Sequence, residues 1–168
     1  MSAKPKGRKA RKPTQASAPS SFSPYEVDMT ATAEAVYTEL HRKAKEAENQ
    51  GNYSSTHITT FEMIRDAVKR LIPNDPINKS HALRGDLSNI FRLRKGRLRI
   101  CWIASSKMRR VCILLISESL RKEGDSNDPY VVFQNMIDSG TFDSLFADFG
   151  VRMARLRNPT LAPSTKPH

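Results

Sequence analysis

The sequence predicts an α+β protein: a small antiparallel β-meander with two N-terminal helices packed on one face and a C-terminal helix. Three observations predict it. Residues 83–122 alternate apolar and basic side chains with the period of a strand, in three runs separated by turn residues. The segments before and after them carry apolar residues at helical spacing. No internal repeat interrupts that order.

Residues 1–25 hold six Lys and Arg, no acid and many Pro and Ser. Such a segment cannot bury enough apolar surface to fold, so it reads as a disordered basic arm that can add sequence-independent attraction to phosphates. The folded domain is expected over residues 26–150 and a flexible tail over 151–168. Thr30–Asn49 reads as the first helix, with Val36, Leu40, Ala44 and Ala47 on one stripe and Gly51 as its stop. A second helix is expected from Thr59, where Thr59 and Glu62 have the spacing of a capping box. Its stripe is Phe61, Ile64, Val68 and Leu71, and Pro73 ends it. The turn-rich segment 73–80 leads into the strands.

In Ile90–Lys95, Phe91 and Leu93 point one way while Arg92 and Arg94 point the other, because strand side chains alternate faces. Lys95-Gly96 makes a hairpin loop. Leu98, Ile100 and Trp102 then share a face, with Arg97 and Arg99 opposite. Residues 105–108 make the next loop, and Arg110–Ser117 is nearly all apolar, as in a central strand covered on both sides. If the strands pair in sequence, Arg92, Arg94 and Arg99 lie on one face. If Ile103 opposes Arg110, Cys101 opposes Cys112; the two cysteines read as buried, reduced thiols. Trp102 reads as core. After a polar loop, Asp128-Pro129 marks the start of a third helix striped by Tyr130, Phe133, Met136 and Ile137 and ended by Gly140. Phe142, Leu145, Phe146 and Phe149 mark one more short helix.

The net charge of +11 is unevenly divided: +6 in residues 1–25, +9 in residues 83–122, and −4 in the rest. Positive charge built into an apolar sheet points to a folded surface for nucleic acid or another polyanion. No long apolar run suggests a membrane span and no apolar stretch near the N-terminus suggests a signal peptide, so a cytoplasmic location is expected. No Gly-rich phosphate loop, HExxH or GxSxG motif is present, and neither a metal nor a cofactor is expected.

The stretch Leu83-Arg84-Gly85-Asp86-Leu87, followed by Phe91-Arg92-Leu93-Arg94-Lys95-Gly96-Arg97-Leu98-Arg99-Ile100, resembles the centre of the RelE/ParE toxin superfamily. Leu120-Arg121-Lys122 and then Asp128-Pro129-Tyr130 resemble its YhaV branch, over about residues 57–140 in all. The resemblance implies a RelE-like antiparallel sheet with helices on one side. It also implies the toxin of a type II toxin–antitoxin pair: a metal-independent endoribonuclease that cleaves mRNA, in some relatives on the ribosome, and is held by an acidic antitoxin. By position, Arg92, Arg94, Arg99 and Arg121 match basic catalytic residues. Lys95, Arg97, Arg84, Lys122 and Tyr130 are carried over as RNA-binding residues. Some relatives use Glu and His as base or acid. This chain has no His between 82 and 167, which leaves Glu118 as the nearest carboxylate, or else as an ion-pair partner of Arg99 or Arg121. Two other readings stay open: a ParE-like toxin that acts on DNA gyrase without cleaving RNA, and a non-catalytic RNA- or DNA-binding protein.

Overall fold

The computed structural model describes residues 23–118 and 129–152. The basic arm up to residue 22 and the tail from 153 lie outside the described residues.

The order is strand β1 (Glu26–Met29), helix α1 (Ala31–Asn49), helix α2 (Thr56–Asp66), a π-helical turn (Ala67–Leu71), the helical turn α3 (Ile72–Asn74), strands β2 (Phe91–Lys95), β3 (Leu98–Ser105) and β4 (Arg110–Glu118), and helices α4 (Pro129–Asp138) and α5 (Asp143–Asp148). The meander β2-β3-β4 is antiparallel as expected. It is extended by β1, which runs parallel to β4 and makes the sheet mixed, in the order β1-β4-β3-β2. β4 is thus a central strand, as its apolar run requires. Four residues, two of them acidic, gave no periodic signal for β1.

Thr30 links these parts. Its hydroxyl caps α1 by accepting from the Ala33 N–H at 3.2 Å and donates to the Leu114 carbonyl of β4 at 3.0 Å. Along α1, Ala33, Leu40, Ala44 and Ala47 are buried, the small alanines allowing close approach of its neighbours. α2 begins earlier than the capping-box pattern suggests: Ser55, not Thr59, is the N-cap, accepting from the His57 N–H at 3.2 Å. Farther along, the π turn shifts the helical phase. Ile72 is buried while Leu71 comes to the surface, the reverse of the expected stripe. Pro73 sits inside the last turn.

Helices cover both faces of the sheet, not one. On the first face, Leu40, Phe61, Ile64, Val68 and Ile72 pack on Phe91, Leu98, Ile100, Trp102, Val111, Ile113 and Ile116. On the second, Phe133, Ile137, Phe142, Phe146 and Phe149 pack on Ile90, Cys101, Ile103, Cys112, Leu114 and Leu115. Each fully buried Phe or Ile stabilises the fold by about 1.5–3 kcal/mol. Gly140, at φ 77°, closes α4: the Thr141 N–H reaches the Met136 carbonyl at 3.0 Å and the Gly140 N–H reaches Ile137 at 3.1 Å.

The β2–β3 loop is Gly96-Arg97, with Lys95 opposite Leu98 and Gly96 at φ 58°. A positive φ at the first position of a two-residue loop suits the twist of a hairpin. Between β3 and β4 the register differs from the expected one: Ile103 opposes Cys112 and Ser105 opposes Arg110. Cys101 opposes Leu115, and both thiols are buried and free. A β-bulge lies at Cys101/Trp102, whose partners are Leu115 and Ile113; Leu114 is the extra residue. The Leu114 carbonyl is the one that Thr30 holds.

Candidate nucleic-acid interface

Arg92 opposes Cys101 and Arg94 opposes Arg99 across the β2–β3 pair, and residues opposite each other share a face. That face is the second one, the face of Cys101. Arg92 and Arg94 are exposed and Arg99 is half-buried. The phenylalanines of α4 and α5 pack on the sheet's apolar part; the arginines sit toward the hairpin end. The Arg99 guanidinium folds back on the loop, its Nη1 donating to the carbonyls of Gly96 at 2.7 Å and Leu98 at 3.0 Å. Burial pushes the Cys101 thiol up to about 12, and the nearby Arg92 charge opposes that shift. Arg92 and Cys101 therefore share one neighbourhood.

Other expected residues are placed elsewhere. Glu118 opposes Leu98, so it lies on the first face, across the sheet from the arginines. The bulge causes this: one extra residue in β4 turns every later side chain over, and Ser117, not Glu118, opposes Arg99. Along β2–β4 the second face carries no carboxylate and no imidazole. Lys95 opposes Leu98 on the first face. It lies near Asp66, whose carboxyl is lowered mainly by its hydrogen bond with Arg70 and further by the Lys95 charge. Arg97 is exposed in the hairpin loop, and Arg84 is exposed ahead of β2. Arg121 and Lys122 lie outside the described residues, as does the side chain of Tyr130.

Two further cations of the basic segment, Arg109 and Arg110, are held by N-terminal partners. Arg109 stacks over the Tyr25 ring at 4.6 Å and donates to the Ser23 carbonyl. Arg110 pairs with Asp28 of β1. Neither set of partners was legible from residue patterns, because they come from the N-terminal strand region. No group of three or more His, Cys, Asp or Glu side chains able to hold a metal occurs among the described residues. None of the described helices is long and apolar enough to cross a membrane.

The profile of the YhaV toxin family, described as a toxin with endonuclease activity, of a toxin–antitoxin system, matches residues 26–152. The chain belongs to this family. Membership makes it an endonuclease toxin with an antitoxin as its counterpart. The match takes in β1 and α1 as well, which the sequence resemblance over residues 57–140 did not reach. Among solved structures, this YhaV-family chain is similar to the toxin–antitoxin complex RelBE2 from Mycobacterium tuberculosis. Identity is 19%, coverage is 58% of this chain and 94% of that chain, and the TM-score is 0.42. It is also similar to the isolated RelE toxin of E. coli, with 13% identity, 68% of this chain and 97% of that chain covered, and a TM-score of 0.43. No curated protein sequence matches.

Proposed function

We propose that this toxin cleaves mRNA on the second face of the hairpin, with Arg92, Arg94 and Arg99 stabilising the scissile phosphate. The observation that supports it best is the direct pairing of Arg94 with Arg99 on one accessible face. The 2′-hydroxyl next to the scissile bond attacks phosphorus, a 2′,3′-cyclic phosphate forms, and the bond to the 5′-oxygen breaks. Negative charge builds on the non-bridging oxygens. Fixed guanidinium groups meet that charge with paired N–H donors at no reorganisation cost during the reaction. The nucleophile belongs to the substrate, so no metal-bound water is required.

Arginine stays protonated and cannot accept the hydroxyl proton. With Glu118 turned to the other face, the proton passes to solvent or to a group outside β2–β4. Arg121 and Lys122, soon after β4 in sequence, are proposed to extend the phosphate grip. Arg84 and Arg97, and Tyr130 at the start of α4, would add contacts to the RNA. An acidic antitoxin segment would neutralise the same face. This reading places the protein in the cytoplasm, with mRNA and ribosomes.

The test incubates purified protein with an mRNA, with and without ribosomes, and maps the new ends. Wild-type protein is expected to cut. The combined Arg94→Ala and Arg99→Ala variant is expected to lose about 10²–10³-fold or more in rate while remaining folded. Unchanged cutting by that folded variant would overturn the proposal.

A further inference from the structure

On the first face, beside β2, lies a cavity of about 340 Å³ lined by Leu71, Ile72, Asp75, His81, Leu93 and Trp102. Small-molecule sites have volumes of roughly 300–1,000 Å³. Its walls are fixed. The Trp102 Nε1–H donates to the Pro76 carbonyl at 2.9 Å, and the Tyr25 N–H to Pro73 at 2.9 Å. The His81 ring lies 5.8 Å from the Trp102 ring, tilted by 57°. The π turn brings Leu71 to the rim, where it is 37% exposed; Ile77, in the same connection, is 43% exposed. None of this serves the phosphate chemistry described above.

The polar groups define what fits. Asn78 Nδ2 donates to Asp75 Oδ2 at 2.7 Å, while Oδ1 accepts nothing from the described residues. An open carboxylate oxygen beside apolar and aromatic walls selects a flat ligand with an exocyclic amino group; the N3–H of uracil lies between two carbonyls, which a carboxylate repels. It disfavours phosphate and the acidic side chains of a peptide.

The position matters as much. Leu93 stands between Arg92 and Arg94 in β2, so the cavity and the arginines back onto opposite faces of one strand. β2 is an edge strand; past the Ala82–Phe91 bridge its outer side pairs with no strand among the described residues. Neighbouring strands are about 5 Å apart, a width that a single-stranded RNA crosses within a nucleotide or two. Lys95, on the cavity's face of β2, supplies positive charge for the phosphate that follows.

We infer that this cavity receives an unpaired nucleobase bearing an amino group, from RNA that passes over the β2 edge between the arginines and the cavity. The path of the strand rests on the RNA-cleaving reading above; the pocket's choice of base does not.

Trp102 is the only tryptophan of the chain, so its emission reports on the cavity directly. Short oligonucleotides of A, C or U, 2′-O-methylated throughout so that they resist cutting, are titrated into the full-length protein. A and C oligonucleotides should change the Trp102 emission with saturation. U oligonucleotides should require about tenfold more, the effect of one hydrogen bond. Asp75→Ala, at an exposed position, should weaken A and C by about tenfold and leave U and Tm unchanged. His81→Ala should weaken all three. Equal midpoints for U and the amino bases, binding seen by anisotropy without any change in Trp102 emission, or no binding would each overturn the inference. So would an acidic peptide that changes the emission where RNA does not. A protein that fails to cut RNA yet titrates with amino selectivity would lose the catalytic reading and keep the pocket.

Discussion

Arg94 and Arg99 are directly opposite on adjacent strands, so their guanidinium groups can share one phosphate. Removing either should therefore damage function more than folding. Arg94→Ala should lower the cleavage rate by about 10²-fold or more with Tm nearly unchanged. Arg94→Lys should recover only part of the rate, since an ammonium lacks the fork that grips two phosphate oxygens. Arg99→Ala should also cost about 0.5–1.5 kcal/mol, because Arg99 donates to two carbonyls at the hairpin loop. Initial rates and thermal unfolding of the same preparations check all three. The cysteines behave differently. Burial pushes Cys101 up to about 12 and, with Asp28 adding to it, Cys112 up to about 11, from an ordinary 9.0. Folded, both stay protonated at neutral pH and should resist alkylation until the protein unfolds. Unfolded, they ionise near the ordinary value. Their contribution to stability is thus complete below about pH 9 and is lost as pH rises towards the folded values. Urea unfolding at about pH 8 and about pH 10.5 measures the loss.

At the scale of elements, the bulge in β4 decides which residues meet. Regular alternation from Cys112 would have carried Glu118 to the arginine face; the extra Leu114 reverses it. Thr30 stabilises that bulge from outside the meander while it caps α1. Thr30→Ala should destabilise by about 1–2 kcal/mol and also reduce cleavage, because the strand carrying Ser117 opposite Arg99 loses its anchor. Thr30→Ser should restore both, and chemical unfolding with parallel rate measurements decides. The three meander strands were legible because alternating Arg and apolar residues, and Gly96 in a two-residue loop, fix a period of two. The common face of Arg92, Arg94 and Arg99 was legible for the same reason, and alternation alone already separates Lys95 from Arg94. The rest was not, and for physical reasons. β1 is too short to show a period and forms by pairing with a strand 84 residues away, Glu26 with Arg110. The π turn and the bulge each insert one residue that leaves no mark on composition, and each moves a side chain, Leu71 or Glu118, to the opposite side of what the pattern says.

For the whole molecule, helices on both faces leave the hairpin end of the sheet as the accessible cationic surface, within a segment that carries +9 of the net +11. RNA affinity should fall linearly on a log–log scale as salt is raised. Each face arginine replaced by alanine should reduce the slope by about 0.7, the value for single strands; filter binding between about 50 and 200 mM salt measures it. Arg109→Ala and Arg110→Ala should instead lower Tm, since these cations hold Tyr25 and Asp28 of the N-terminal strand region. The measurement that bears most directly on an arginine-stabilised attack by the 2′-hydroxyl uses one RNA and its twin carrying a single 2′-deoxynucleotide at the mapped cut, both in excess chelator. The RNA should be cut to a 2′,3′-cyclic phosphate end while the twin stays intact at that position. Cutting of the twin at the same bond and rate, or loss of all cutting in chelator, would rule out this mechanism.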